Sequence, residues 1–157
     1  MSTPATAKKD VQIDPRGYRV GAGMTSLIAI VGLLLGAGTP GTVTFAVLAL
    51  LFLPGAIVGP QATLQSFLFR KLLRPRLGPP RTTESFRPPR FAQLLGLICA
   101  VLATVFGLAG AEVGFYVFAG FVVGASFLNS AFGFCLGCEI YLLLGRMRSP
   151  QAARQAR

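Results

Sequence analysis

Val20-Gly-Ala-Gly-Met-Thr-Ser-Leu-Ile-Ala-Ile-Val-Gly-Leu-Leu-Leu35, Gly36-Ala-Gly-Thr-Pro-Gly41 and Thr42-Val-Thr-Phe-Ala-Val-Leu-Ala-Leu-Leu-Phe-Leu-Pro-Gly-Ala-Ile-Val58 follow one another without a charged side chain. Two apolar runs joined by a short cluster of turn residues read as a helical hairpin. With a few flanking residues, each run reaches the roughly 20 residues that a helix needs to cross a bilayer. The spans expected here are about residues 20–37 and 42–60. Pro54, Gly55, Gly59 and Pro60 should kink the second helix or end it early. Gln61 to Leu73 reads as further helix that carries the chain to Arg70 and Lys71.

A second hairpin follows. Its third span runs over about residues 91–108, and Gly107-Leu-Ala-Gly-Ala-Glu-Val-Gly114 makes the turn. The last apolar stretch, Val113 to Leu144, is 32 residues long. One straight helix of that length would measure about 48 Å, against a hydrocarbon core of about 30 Å. Either it tilts and projects, or the crossing ends near Phe132 and Glu139-Ile-Tyr-Leu-Leu-Leu-Gly-Arg146 forms a short interfacial helix. The fourth span is therefore 113–132 or longer. Gly120, Gly124, Ala125 and Ser126 should let it pack closely. The expected fold is an all-α membrane protein, an up-down bundle of four transmembrane helices over residues 20–146.

Composition agrees. Of the 157 residues 53% are hydrophobic and only 13% charged, where a soluble domain carries about 25% charge. The mean hydropathy is +0.64. The formal net charge of +10 would suit a nucleic-acid ligand, but its distribution points elsewhere. Lys8, Lys9, Arg16 and Arg19 precede the first span. Arg70, Lys71, Arg74, Arg76, Arg81, Arg87 and Arg90 lie in the middle, and Arg146, Arg148, Arg154 and Arg157 close the chain. None lies in the two short connections. Lys and Arg collect in cytoplasmic loops, so both termini should be cytoplasmic in an inner, cytoplasmic cell membrane, with no nucleic acid needed. The tails would be residues 1–19, which lack the order of a signal peptide, and 147–157. The proline-rich connection 70–90 should lie over the anionic lipids of the inner leaflet. Arg70, Lys71, Arg74, Arg76 and Arg90, together with Arg146 near the end of the chain, are the expected basic residues at the membrane surface.

There is no histidine, which excludes His-ligated haem, His-containing zinc sites and Ser-His-Asp triads. The chemistry-bearing residues are Cys135 and Cys138. At i and i+3 they share a helical face, within reach of a disulfide. If Gly133 breaks the helix, the pair sits at a helix N-terminus, where the dipole favours a thiolate. Glu139 is a candidate proton acceptor, with Arg90 or Arg146 to neutralise it. Alternatively the two cysteines simply pack as small apolar residues. A metal site is the third reading, but zinc and iron–sulfur clusters want about four ligands, and the chain adds only Cys99. No metal is expected, and Cys99 reads as core. Gln65, Gln93, Asn129 and Ser130 are polar residues in apolar surroundings. Gln93 and Asn129 are expected to bond neighbouring helices, while Glu112 falls at the outer turn.

Asp14-Pro-Arg-Gly17, Pro89-Arg-Phe-Ala-Gln93 and Phe127-Leu-Asn-Ser-Ala-Phe-Gly-Phe-Cys-Leu-Gly-Cys-Glu-Ile-Tyr141 together resemble a bacterial membrane family described as a domain of unknown function, DUF4395. The resemblance covers residues 14–146. It implies a four-helix membrane fold ending in a Cys-x-x-Cys-Glu pattern. Through neighbouring thioredoxin-like and rhodanese-type genes, it also implies a link to thiol or sulfur handling. The leading expectation is a membrane thiol–disulfide or sulfur-relay protein with a thioredoxin-like or sulfurtransferase partner. No cofactor is required by any motif; a quinone enters only by analogy with four-helix thiol oxidoreductases. The rival readings are a transporter or channel subunit for a small sulfur species, lined by Gln65, Gln93, Asn129 and Ser130, and a structural or assembly protein.

Overall fold

The computed structural model describes residues 12–79 and 82–148. Most of the two expected tails, and Arg81 in the basic connection, lie outside the described residues. In chain order the helices are α1 (Pro15–Leu34), α2 (Thr39–Ile57), α3 (Leu64–Leu68), α4 (Arg74–Leu77), α5 (Arg87–Leu108), α6 (Glu112–Phe132) and α7 (Leu136–Arg148). A 3-10 turn, Pro60–Ala62, precedes α3, and a π-helical turn, Phe69–Leu73, links α3 to α4. Two short strands, β1 (Gln12–Ile13) and β2 (Glu84–Ser85), pair antiparallel.

Local chemistry explains the boundaries. Asp14 caps α1 by accepting the Arg16 N–H at 2.9 Å, and Pro15 takes the first helical position, where its missing N–H costs nothing. The helix thus begins five residues before the apolar run. α5 likewise begins at Arg87 rather than near Phe91, because Pro88 and Pro89 fall in its first turn. Pro54 lies inside α2, which ends three residues later at Ile57. The basic connection is therefore not bare loop. It begins with the end of a broken helix that runs from Leu64 to Leu77, and its strand β2 pairs with β1 at the start of the described chain.

α1, α2, α5 and α6 are each long and apolar enough to cross a membrane. They form a closed ring in which α1 packs on α2, α2 on α5, α5 on α6 and α6 on α1, an up-down bundle. Phe45, Leu48 and Phe115 are its largest fully buried side chains, with Ala29, Ala100, Ala103 and Ala119 around them. Phe45 and Phe115 meet edge to face at 5.4 Å. The outside is apolar too: Leu34, Leu50, Leu108, Val113 and Phe121 are all exposed. Water would not tolerate so continuous an apolar surface, whereas lipid would.

The two ends of the bundle differ. Gly36 and Tyr116 approach one another at the end formed by the short connections. The strand pair, the basic connection and α7 gather at the opposite end, with Arg16, Arg19, Arg70, Lys71, Arg74, Arg76, Arg90 and Arg146. There α7 rests on the start of α5. A Cβ added at Gly137 would come within 2.6 Å of the Ala92 Cα, so only glycine permits this approach. The Tyr141 ring lies 5.7 Å from that of Phe91.

Gly137→Val should therefore lower stability by about 1–3 kcal/mol through overpacking. Gly120→Ala, whose Cβ meets nothing within 4 Å, should change it by less than about 1 kcal/mol. Thermal unfolding in detergent measures both, and equal shifts would mean that α7 is not seated on α5.

Candidate functional site

The site begins where α6 ends. Gly133 adopts φ +68°, a left-handed conformation that glycine accepts without strain, and its N–H donates to the Asn129 carbonyl at 3.0 Å. The last apolar stretch is thus two helices, α6 and α7, separated by Gly133, Phe134 and Cys135. Cys135 stands at the start of α7, where its carbonyl accepts the Glu139 N–H at 3.1 Å. Its Sγ accepts the Cys138 N–H at 3.3 Å, the position a serine or aspartate oxygen takes at a helix N-cap.

Cys135 and Cys138 are joined in a disulfide with Cα atoms 5.2 Å apart. Tyr18, in the first turn of α1, places its hydroxyl 2.9 Å from the Cys135 Sγ. Disulfide sulfur carries no hydrogen, so the hydroxyl donates. Cys135 therefore faces two donors and the N-terminus of α7, which together suit a thiolate at this sulfur. Both cysteines are half-buried at the basic end of the bundle.

A cavity of about 380 Å³ runs from the disulfide into the adjacent half of the bundle. Cys135, Tyr18, Gln65, Gln93, Asn129 and Cys99 are on its wall; Cys138 is not. Gln65 is buried and donates from Nε2 to Thr25 Oγ1 at 3.4 Å, a bond between helices of the kind expected of Gln93 and Asn129 instead. Gln93 and Asn129 differ from expectation: neither amide has a hydrogen-bond partner among the described residues. Asn129 is only 5% exposed, so its amide is held against the cavity without a protein partner. Ser130 lies off this wall, and its carbonyl accepts from Arg19 Nη2 at 3.4 Å. A second cleft of about 290 Å³, lined by Asp14, Gln61, Arg70 and Arg74, meets the first at Tyr18 and Ser66.

Glu139 is exposed on the first turn of α7 and makes neither an ion pair nor a hydrogen bond to either sulfur among the described residues. Its backbone contributes to the cap, and its carboxylate bonds neither sulfur among the described residues. Arg90, its expected partner, donates from Nε to the Ala56 carbonyl at 3.0 Å, and Arg146 is exposed. Lys71 lies over the Phe67 ring. Among the described residues no three Cys, Asp or Glu gather as metal ligands. Cys99 is a free, half-buried thiol on the cavity wall.

Tyr18 and Thr25 were invisible to sequence reasoning. Tyr18 meets Cys135 across 117 residues, and neither periodicity nor spacing encodes so long a closure. The one available hint was an aromatic residue placed just after the Asp14-Pro-Arg-Gly17 cap.

No curated protein and no solved structure was found to match the chain. A family model does, over residues 13–146. By that match, which spans the four long helices and the cysteine pair, the chain belongs to the family described as a domain of unknown function, DUF4395.

Proposed function

We propose that this chain is a thiol–disulfide exchange protein of the cytoplasmic membrane, working through Cys135 and Cys138, with its basic end and both termini in the cytoplasm. The observation that carries the reading is the disulfide at the start of α7 with the Tyr18 hydroxyl on the Cys135 sulfur. A thioredoxin-like dithiol, or a sulfurtransferase handing on sulfur as a persulfide, is the soluble partner. The basic residues around the site would draw it in and hold the anionic leaflet.

In the exchange step a partner thiolate attacks the Cys138 sulfur, which lies off the cavity wall. The Cys135–Cys138 bond breaks, and Cys135 leaves as a thiolate held by the Tyr18 hydroxyl and the Cys138 N–H. The second partner thiolate then attacks the mixed disulfide, releasing Cys138. The partner loses two electrons and two protons and becomes a disulfide; the membrane pair gains both and becomes a dithiol.

The transport reading is weaker on one observation. Gln65, Gln93 and Asn129 line the cavity, but beyond it the bundle is filled by fully buried Phe45, Leu48 and Phe115. A polar path would have to pass through them.

Three experiments test the exchange reading. In a Cys99→Ser background, a membrane-impermeant maleimide should label the pair in inverted vesicles only, and only after reduction. Cys135→Ser and Cys138→Ser should each abolish exchange. Labelling from neither face, or full function in both variants, would sink the soluble-partner relay and favour packing. Tyr18→Phe should slow alkylation of reduced Cys135 about tenfold at neutral pH, since a hydrogen bond to a charged group contributes about 1.5–3 kcal/mol. The deficit should vanish in alkali, where the thiolate forms without help. An unchanged rate–pH profile would remove Tyr18 from the chemistry.

A further inference from the structure

The disulfide is two-sided. Cys135 forms part of the cavity wall and Cys138 does not, though both are half-buried, so the Cys135 sulfur is the one a cavity ligand would meet. The wall contains no Asp, Glu, Lys or Arg. Its polar groups are amides and hydroxyls, and Asn129 is held there 5% exposed with no protein partner among the described residues. A lysine only donates and a carboxylate only accepts, but an amide does both. Amides therefore suit a ligand whose oxygens alternate between carbonyl acceptors and hydroxyl donors. Phe52, Phe118 and Phe121 add aromatic surface to the same wall, and the volume falls within the roughly 300–1,000 Å³ of ordinary ligand sites. The wall also continues onto the lipid-facing surface: Phe121 is 61% exposed and Leu136 42%, and Ala125 is exposed.

From these features we propose that the cavity binds the ring of a lipid-soluble quinone, which enters sideways between α6 and α7 and accepts the electrons of the Cys135–Cys138 dithiol. The proposal rests on the exchange reading above and adds the acceptor to it. The Cys135 thiolate adds to a ring carbon, forming a C–S bond. The Cys138 thiolate then attacks the Cys135 sulfur; the S–S bond forms, the C–S bond breaks and its electron pair stays on the ring. The two thiol protons end on the two ring oxygens, giving hydroquinone. Asn129 and Gln93 donate to the carbonyls before the step and accept from the hydroxyls after it.

The test uses the full chain in lipid nanodiscs, with a decyl-tailed benzoquinone and 2-methyl-1,4-naphthoquinone as probes. Binding is read by equilibrium dialysis and by photolabelling with an azido-benzoquinone on a Cys135→Ser, Cys138→Ser variant, which cannot react. Saturable binding with labels on α5 and α6 is expected. Asn129→Leu should weaken it about tenfold, the loss of one hydrogen-bonding group. Ala125→Trp, which fills the lipid-facing mouth with an outward side chain and spares the core, should weaken it at least as much. The prereduced wild type, without oxygen, should form one hydroquinone per disulfide. Absent or non-saturable binding, or binding indifferent to both cavity variants, overturns the proposal, even where exchange with a soluble dithiol persists and the exchange reading stands. Binding without hydroquinone formation, in protein that still exchanges with a soluble dithiol, overturns it as well. Loss of both reactions in well-folded protein overturns the two readings together.

Discussion

Cationic side chains do not rest in hydrocarbon, and the rest of this molecule is arranged around that constraint. The described basic residues outside the spans share one end of the bundle with the strand pair, the broken helix 64–77 and α7. The opposite end has only two short uncharged turns and Glu112. Because helices cross in alternating directions, charge segregation by sequence becomes segregation by height. The cysteine pair is carried to the basic end by the same rule, since α6 begins at Glu112 and exhausts its crossing by Phe132.

What happens at Phe132 depends on backbone conformation. Lipid requires every backbone donor and acceptor to be satisfied, so a break in a helix is tolerated only where the bundle ends or a cavity opens. Gly133 makes the break at such a place, and its left-handed turn swings α7 across the start of α5. Gly137 then admits the close contact with Ala92. Cys135 consequently sits at a helix start, facing Tyr18 from the other terminal region of the chain. A continuous helix through Gly133 would have left the same two cysteines on an ordinary helical face, with no capped sulfur and no donor from α1.

The cavity follows from small residues packed beside amides. Gly21, Ala22, Gly96 and Gly137 contribute little volume to its wall, so Phe52, Phe118 and Phe121 line the space without filling it, whereas Phe45, Leu48 and Phe115 close the other half of the core. Among the described residues the Asn129 amide has no protein partner and faces the cavity.

Read alone, the sequence determined the four crossings, their order and the end at which charge collects, because apolar length and the placement of Lys and Arg are properties of consecutive residues. It also determined that Cys135 and Cys138 are close enough to pair, since three residues on a helix bring sulfurs within reach. It left open whether the last stretch was one helix or two: glycine permits a break without demanding one. The tertiary structure alone decided the partners. Tyr18 reaches Cys135, Thr25 meets Gln65, Asn129 lacks the bond expected of it, and Glu139 is exposed without a bond to either sulfur. The physical reason is one of range. Hydropathy and helical spacing act over a few turns, whereas a ring of four helices brings together side chains more than a hundred residues apart, by packing that no local pattern records.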